Sequence, residues 1–248
     1  MNTYSLINYL LILAFVVLCV IYLVFYIREK KQCPPAWKEA VKSGKISPEL
    51  FMIEKQVRDR TRFFQFWLQT GRLKNERITG AFAELGVYQG ESARVLHHLD
   101  PTRKFYLLDT FEGFTDRDLE HETGEAATYS ILNFADTSVE KVLKKVGGNN
   151  NLIVCKGFFP DTSGILEGEE FALVNIDADL YQPTKAGLEF FYPRLSPGGI
   201  IFIHDYNHSW SGVKKAVDEF LLRIPEVPVL LTDKDSSIVI VKSRKKII

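Results

Sequence analysis

Short apolar runs alternate with amphipathic stretches along the chain from residue 78 onwards. The β-type runs predict strands at 80–84, 104–108, 152–155, 171–176 and 200–203. Apolar side chains that recur at helical spacing between them predict helices at 91–99, 137–146, 183–195 and 212–222. Strands separated by helices pair in parallel through right-handed crossovers. We therefore expect a doubly wound α/β domain with helices on both faces of the sheet.

Two more β-rich runs, 229–231 and 238–241, lie near the end of the chain. The polar segment between them has hairpin spacing, which predicts that the last strand runs antiparallel to its neighbour. The pattern thus predicts seven strands in a mostly parallel sheet.

The most hydrophobic stretch of the chain is residues 5–27, which contain no charged side chain. At about 1.5 Å per residue, a helix of this length exceeds the roughly 30 Å core of a bilayer. We interpret it as a transmembrane helix rather than a signal peptide, because it lacks a basic start and a small-residue cleavage site. Arg28, Lys30 and Lys31 follow it, whereas residues 1–5 carry no charged side chain, so the domain after the helix is expected in the cytoplasm.

Residues 28–75 are predicted to connect this helix to a catalytic domain at 76–244. Pro34-Pro35 ends any continuation of the first helix, and Ser47-Pro48 predicts the start of another. The spacing of apolar residues over 49–73 indicates one long amphipathic helix. We expect the aromatic side chains at 63–67 to pack in the core, with a substrate lid as the alternative.

Composition narrows the class of protein. The 31 basic and 31 acidic residues leave no net charge, which gives no electrostatic case for binding nucleic acid. Cys19, Cys33 and Cys155 are far apart in the chain, which argues against a zinc site and a disulfide framework.

The ends of the first two predicted strands carry residues typical of a cofactor loop. Glu84 is followed by Gly86 and Gly90, where glycine permits a tight turn and a close approach of backbone to a ligand. The G-x-G-x-x-G spacing of a dinucleotide site is absent. Asp109, at the end of the second strand, has the position from which a carboxylate binds ribose hydroxyls. Together they indicate a cofactor that contains adenosine.

Acidic residues follow the fourth and fifth predicted strands. Asp177 and Asp205 would lie close together at the same sheet edge, where a divalent cation such as Mg²⁺ compensates their charges. Asp179 is expected to cap the helix that begins near residue 182. His204 has two open roles, as a ligand for a metal such as Mn²⁺ or Fe²⁺ and as a general base.

Several segments in this order resemble the macrocin O-methyltransferase (TylF/MycF) family of S-adenosylmethionine-dependent enzymes. They are ELGVYQGES, LLDTFEGF, KGFFPDT, NIDADLYQPT, FYPRLSPGG and HDY followed by VKKAVD. The resemblance covers roughly residues 50–243. It implies a class I methyltransferase fold, which is Rossmann-like, and a Mg²⁺-assisted transfer of a methyl group from S-adenosylmethionine to a hydroxyl.

The resemblance also implies site residues. The cofactor site would comprise Glu84, Gly86, Tyr88, Gly90, Ser92, Asp109 and Phe111. The metal site would comprise Asp177 and Asp205. We add His204 to it from the chemistry of its imidazole, because the family usually has Asp at that position, and we expect Asp177 and His204 to be catalytic as well. Residues 110–135 are expected to close over the acceptor, and His121 in this loop is interpreted as a surface residue rather than a base.

This chain departs from the family pattern at two places. The family usually has Asp-Asp-Tyr where this chain has His204-Asp205-Tyr206, and its members are generally soluble enzymes of antibiotic biosynthesis, whereas an N-terminal anchor is expected here. The expected acceptor is therefore a hydroxyl of a sugar or glycan near the membrane, rather than a macrolide. A homo-oligomer is compatible with the sequence. Two other functions stay open: an inactive membrane-tethered module of the same fold, and a nicotinamide-dependent oxidoreductase.

Overall fold

The computed structural model describes residues 3–31, 33–120, 122–147, 150–207, 211–234 and 236–244. The chain divides into two compact units, Met1–Ser47 and Pro48–Ile248. The first unit contains α1 (Thr3–Lys31) and α2 (Pro35–Lys42). Within α1, residues Tyr4–Ile27 contain no charged side chain, and the helix is long and apolar enough to cross a membrane. Length and composition alone support that assignment.

The second unit begins with α3 (Pro48–Gln56) and α4 (Arg60–Asn75). The prediction of one helix over 49–73 is wrong, because the chain leaves the helical conformation at Asp59. There φ is −109° and ψ is 98°, and the Asp59 carboxylate caps α4 by accepting the N–H of Arg62 at 3.0 Å. The aromatic residues of α4 are mostly buried, as expected: Phe63, Phe64 and Phe66 lie in the interior.

The sheet has seven strands in the order β3-β2-β1-β4-β5-β7-β6. The strands are β1 (Ala81–Leu85), β2 (Phe105–Asp109), β3 (Leu152–Lys156), β4 (Phe171–Ile176), β5 (Leu195–Ile203), β6 (Val229–Leu230) and β7 (Ile238–Val241). The first five pair in parallel, and β7 runs antiparallel to both β5 and β6. The predicted doubly wound sheet with an antiparallel last strand is confirmed.

The remaining helices are α5 (Glu91–Leu99), α6 (Asp116–Leu119), α7 (Val139–Val146), α8 (Tyr181–Arg194) and α9 (Ser211–Leu221), with short 3₁₀ helices at Gly124–Thr128 and Asp161–Leu166. Helices α3, α4 and α7 pack around α5, while α8 packs on α9. The central strands β1, β2, β4 and β5 are almost fully buried, and β4 is buried along its whole length. Burial on both faces explains why these strands read as continuous apolar runs rather than alternating ones.

β5 is longer than predicted, because it begins at Leu195 instead of residue 200. A register irregularity accounts for the difference: Phe171 of β4 is paired with Leu195, but Leu173 is paired with Ile200. The intervening Ser-Pro-Gly-Gly segment forms this irregularity, and its Pro and Gly residues masked the strand in the sequence.

Candidate active site

Four parallel strands end at one edge of the sheet and bring the predicted site residues together. β1 leads into the loop at Gly86, β2 ends at Asp109, β4 leads to Asp177 and β5 leads to His204. Two cavities open at this edge, with empty volumes of about 590 Å³ and about 1470 Å³ that include open solvent. Both are lined by Gly86, Tyr88, Phe134, Asp177 and Asp179. The cavities therefore meet at the glycine loop and at the end of β4.

The two glycines of the loop have different structural roles. Gly86 has φ +84°, and a Cβ atom there would lie 1.9 Å from the backbone oxygen of Asp177. Gly90 has φ +74° at the start of α5, and its Cβ would lie 3.0 Å from Cγ1 of Val142 on α7. Gly86 thus allows the turns after β1 and β4 to touch, whereas Gly90 allows α5 and α7 to pack closely. Gly90 does not line either cavity.

Asp109 organises the glycine loop through its carboxylate. Oδ2 accepts the backbone N–H groups of Val87 at 2.7 Å and Tyr88 at 2.8 Å, and Oδ1 accepts that of Phe111 at 2.6 Å. Asp109 also lines the smaller cavity. The Phe111 side chain is buried and lies away from both cavities, so only its backbone takes part in this arrangement.

Glu84 lies beneath the loop and is fully buried. Its Oε1 accepts hydrogen bonds from the Ser92 hydroxyl and from Nδ2 of Asn175, the latter at 2.7 Å. Burial raises the pKa of Glu84 to about 8, although the bond from Ser92 opposes the shift. Glu84 therefore links β1, α5 and β4, and it holds Ser92 in place at the larger cavity.

Asp177, His204 and Asp205 form a cluster at the ends of β4 and β5. Nδ1 of His204 lies 3.0 Å from Oδ1 of Asp177 and 3.0 Å from Oδ1 of Asp205. Burial opposes the charge on the imidazole, but Asp177 and Asp205 outweigh it and raise the pKa of His204 to about 10. One ligand atom from each of the three residues lies within 4.8 Å of the others, which suits a divalent metal ion.

Arg62 reaches this cluster from α4 and was not predicted from the sequence. Its Nη2 donates to Oδ2 of Asp177 at 2.9 Å and to Oδ1 of Asn175 at 3.1 Å. Burial favours the neutral form of Asp177, but Arg62 and then His204 outweigh it and hold the pKa of that carboxyl well below its usual range. The carboxylate of Asp177 is thus ionised and fixed between two cationic side chains.

Asp179 does not cap α8, so that prediction is wrong. Leu180 is the N-cap residue, and the first N–H of the helix, that of Tyr181, donates to Oε1 of Glu122 at 2.6 Å, while Asp179 itself has φ +59°. This left-handed conformation keeps Asp179 at the junction of the two cavities. Burial and then Asp205 raise the pKa of the Asp179 carboxyl well above its usual range.

The 110–135 loop contributes aromatic residues above the glycine loop. The Phe134 ring lies 5.0 Å from that of Tyr88 and 5.2 Å from that of Phe114, between ring centroids. Tyr129 lies 5.4 Å from Phe114. Of the four, Tyr88, Phe114 and Phe134 line the smaller cavity. His121 lies outside the described residues, so its predicted surface position stays a prediction.

The far side of the smaller cavity is formed by the segment after β3. Gly157 and Phe158 line it, and the Arg117 guanidinium lies 3.8 Å from the centre of the Phe158 ring. Gly157 and Phe158 belong to the KGFFPDT segment, one of those that carry the family resemblance. Neither residue was predicted to bind a ligand. A flat aromatic side chain beside Asp109 is a suitable surface for a nucleoside base.

Comparisons with known proteins identify the family of this chain. The family model of macrocin-O-methyltransferase (TylF) matches residues 40–236. The 8-demethyl-8-(2,3-dimethoxy-alpha-L-rhamnosyl)-tetracenomycin-C 4'-O-methyltransferase of Streptomyces olivaceus is 29% identical over 145 residues, which cover 52% of this chain and 54% of the relative. The mycinamicin III 3''-O-methyltransferase of Micromonospora griseorubida is 31% identical over 145 residues, covering 52% of this chain and 56% of the relative.

The structure of the O-methyltransferase NovP has the same fold, with a TM-score of 0.64 at 21% identity over 75% of this chain and 81% of that one. The chain spans about half the length of the two curated relatives. The family model, in contrast, extends from the N-terminal helices to the hairpin before β7. The chain belongs to the macrocin-O-methyltransferase (TylF) family.

Proposed function

We propose that this protein is an S-adenosylmethionine-dependent O-methyltransferase that acts on a hydroxyl of a sugar or glycan. The observation that carries the proposal is the meeting of two cavities at one sheet edge, with the loop held by Asp109 on one side and the cluster around Asp177 on the other. The relatives named above are O-methyltransferases, and the name of the tetracenomycin enzyme refers to a rhamnosyl group, which supports a sugar acceptor.

The smaller cavity suits the adenosine part of the cofactor. Asp109 can still accept a ribose hydroxyl at Oδ1, which takes one backbone N–H and a long 3.4 Å bond from the Thr110 hydroxyl, whereas Oδ2 already accepts two backbone N–H groups. Phe158 offers a surface for the base, and Gly86 lets the ligand approach the backbone. The methionyl end would then extend into the larger cavity towards Ser92, with the sulfonium near Tyr88.

A divalent metal fits the donor set of Asp177, His204 and Asp205. Two carboxylate oxygens suit Mg²⁺, which the family resemblance favours, and the imidazole also suits Mn²⁺ or Fe²⁺. When bound, such an ion supplies a positive charge that lowers the pKa of the acceptor hydroxyl. Arg62 already neutralises part of the charge on Asp177, and the contact keeps that carboxylate oriented.

The chain's own residues would position the acceptor and receive its proton. In the transfer, the acceptor oxygen forms a bond to the methyl carbon while the bond from that carbon to sulfur breaks, and the hydroxyl proton leaves. Asp179 lies at the junction of both cavities, where a carboxylate can accept this proton. Phe114 and Phe134 limit the access of water to the smaller cavity, which favours transfer to the acceptor over side reactions.

The N-terminal helix supports a membrane-anchored form of the enzyme. Tyr4–Ile27 is long enough to span a bilayer, and the basic residues 28, 30 and 31 after it favour a cytoplasmic catalytic unit. The acceptor would then be a sugar that is exposed at the cytoplasmic face of the membrane.

Binding and activity measurements together test the proposed function. Calorimetry tests the cofactor and should detect binding of S-adenosylhomocysteine and no binding of NAD. An activity assay tests the transfer: a component of a cell extract should accept a labelled methyl group from S-adenosylmethionine. Asp177→Asn is expected to lower transfer by at least about 100-fold while cofactor affinity stays within a few-fold, because Asp177 acts on the acceptor side. Asp116→Asn, on an exposed side chain of α6, is the matched control.

A second candidate function is an inactive tethered module of this fold. The contact between Arg62 and Asp177, together with His204 in place of an acid, favours it, because both put positive charge where a metal would bind. Binding of S-adenosylhomocysteine without methyl transfer to any extract component, with or without added divalent metal, would support this function and contradict the enzyme.

A further inference from the structure

Three basic side chains line the larger cavity in addition to Arg62. They are Arg58, Lys145 and Lys234. Across the part of the chain that the structure describes, no carboxylate lies within ion-pair distance of these three side chains. Arg62 differs, because Asp177 neutralises it. The carboxylates of Asp59 and Glu91 also line this cavity, so the three cations outnumber the acids beside them by one, and within the described residues none of the three is held in an ion pair.

Backbone contacts fix two of these residues at the mouth. The N–H of Arg58 donates to Oε1 of Glu91 at 3.1 Å, next to the glycine loop. The N–H of Lys234 donates at 2.8 Å to Oδ2 of Asp59, the residue after Arg58. Glu91 and Asp59 thus bind the backbone N–H groups of Arg58 and Lys234, and the cationic side chains of these two residues remain available to a ligand.

Lys145 approaches the same mouth from another direction. It lies in the last turn of α7, between Val142 and Val146, both of which pack against Gly90 at the start of α5. Three elements that are distant in sequence thus each contribute one cation: the segment before α4, the end of α7 and the turn before β7.

The methyl donor does not account for these charges. The methionyl end of S-adenosylmethionine carries one carboxylate and one ammonium group, and its sulfonium is positive. A single cation is enough for that carboxylate, and a neutral sugar requires none. Phosphate oxygens, in contrast, accept several charge-assisted hydrogen bonds from Arg and Lys at once.

The acidic floor of the cavity determines where a phosphate can lie. Asp205 is buried and Asp177 and Asp179 are half-buried, so they form the floor and would repel it, whereas Arg58 and Lys234 are exposed and lie nearer the mouth. An empty volume of about 1470 Å³ has room for a sugar between the two regions. A phosphorylated sugar therefore fits with its hydroxyl at the floor and its phosphate at the mouth.

We infer that the acceptor is a sugar linked to a phosphate or diphosphate, and that Arg58, Lys145 and Lys234 bind this phosphate group. The inference rests on the proposed function, because the sugar hydroxyl must reach Asp177. The same chemistry occurs in a nucleoside diphosphate sugar and in a sugar diphosphate on a lipid carrier. The experiment below distinguishes these two sources.

The test measures anion binding by the full chain in phosphatidylcholine nanodiscs, with S-adenosylhomocysteine saturating and a chelator present. Inorganic pyrophosphate is the first probe. We expect each of Arg58→Gln, Lys145→Gln and Lys234→Gln to weaken its binding by about 3-fold to 10-fold, and the triple variant to abolish it. Lys144→Gln, an exposed neighbour on α7 that does not line the cavity, should bind as the wild type does.

Two further probes distinguish the sources. Tight binding of uridine diphosphate and none of a prenyl diphosphate in the nanodisc identifies a soluble nucleotide sugar, and the reverse identifies a lipid carrier. Wild-type protein that binds S-adenosylhomocysteine but no diphosphate probe overturns the inference and leaves the methyltransferase proposal standing. Equal loss of S-adenosylhomocysteine affinity in the single variants also overturns it, because the cations would then serve the cofactor carboxylate. Failure of the wild type to bind S-adenosylhomocysteine contradicts the proposed function itself.

Discussion

Single residues decide which parts of the site a sequence can reveal. Asp109 and Asp177 were predicted because each directly follows an apolar strand, and parallel strands present their ends at one edge. Arg62 was missed because it lies 115 residues before Asp177 and belongs to no motif. The predicted capping role of Asp179 was wrong, because an Asp placed just before a helix in the sequence does not reveal that its φ is left-handed. Local patterns therefore locate strand ends, whereas contacts between distant helices and strands require the fold.

Glu84 leads to a prediction about pH at this same scale. The pKa of Glu84 is raised to about 8 in the folded protein, so between its usual value and about 8 the folded state keeps a proton that the unfolded chain releases. The free energy of unfolding therefore falls as pH rises through this window, and the decrease is on the order of a few kcal/mol.

Glu84→Gln should abolish this decrease, because a neutral amide has no proton to release and can still accept the bonds from Ser92 and Asn175. Urea unfolding at about pH 5 and about pH 8.5 measures it: the variant should match the wild type at the lower pH and exceed its stability at the higher. Glu167→Gln, on an exposed side chain, is the control. Identical pH dependence of wild type and Glu84→Gln would show that Glu84 ionises normally.

At the scale of elements, most strands and helices follow from apolar periodicity. The predicted helix at 91–99 coincides with α5, and the predicted strand at 171–176 coincides with β4. The helix predicted over 49–73 is divided because Asp59 caps α4, and no Gly or Pro marks the break at 57–59. The break is important for the site, because α4 carries Arg62 and its start lies at the mouth of the larger cavity.

The cap at Asp59 predicts a measurable loss of stability. Asp59→Ala removes the hydrogen bond from the N–H of Arg62 and also the bond from the N–H of Lys234. We expect the free energy of unfolding to fall by about 1 to 2 kcal/mol, the usual cost of losing a helix N-cap. Urea unfolding of the full chain measures the change, with Glu167→Ala as an exposed control. Asp59→Asn should retain most of the stability, because an amide oxygen also accepts at this position; equal losses in both variants would contradict the capping role.

At the scale of the whole molecule, the chain combines a long apolar helix, α1, with the compact α/β unit Pro48–Ile248. α1 and Pro48–Ile248 belong to different compact units, so a change in α1 is not expected to unfold Pro48–Ile248. If Tyr4–Ile27 spans a bilayer, charged side chains at its centre are costly, at about 2.5 to 3.5 kcal/mol for each arginine. Val16→Arg combined with Val17→Arg should therefore move the protein from the carbonate-resistant membrane fraction to the soluble fraction.

The matched control is Val16→Leu combined with Val17→Leu, which keeps the helix apolar and should leave the protein in the membrane. Binding of S-adenosylhomocysteine by the soluble double-arginine variant then separates anchoring from catalysis: retention means that α1 serves only to locate the enzyme. If the double-arginine variant stays in the membrane fraction, α1 is not the anchor, and the argument for an acceptor at the membrane loses its support. That result would not contradict the proposed phosphate site, because the diphosphate of a soluble nucleotide sugar can bind the same three cationic side chains at the mouth of the cavity.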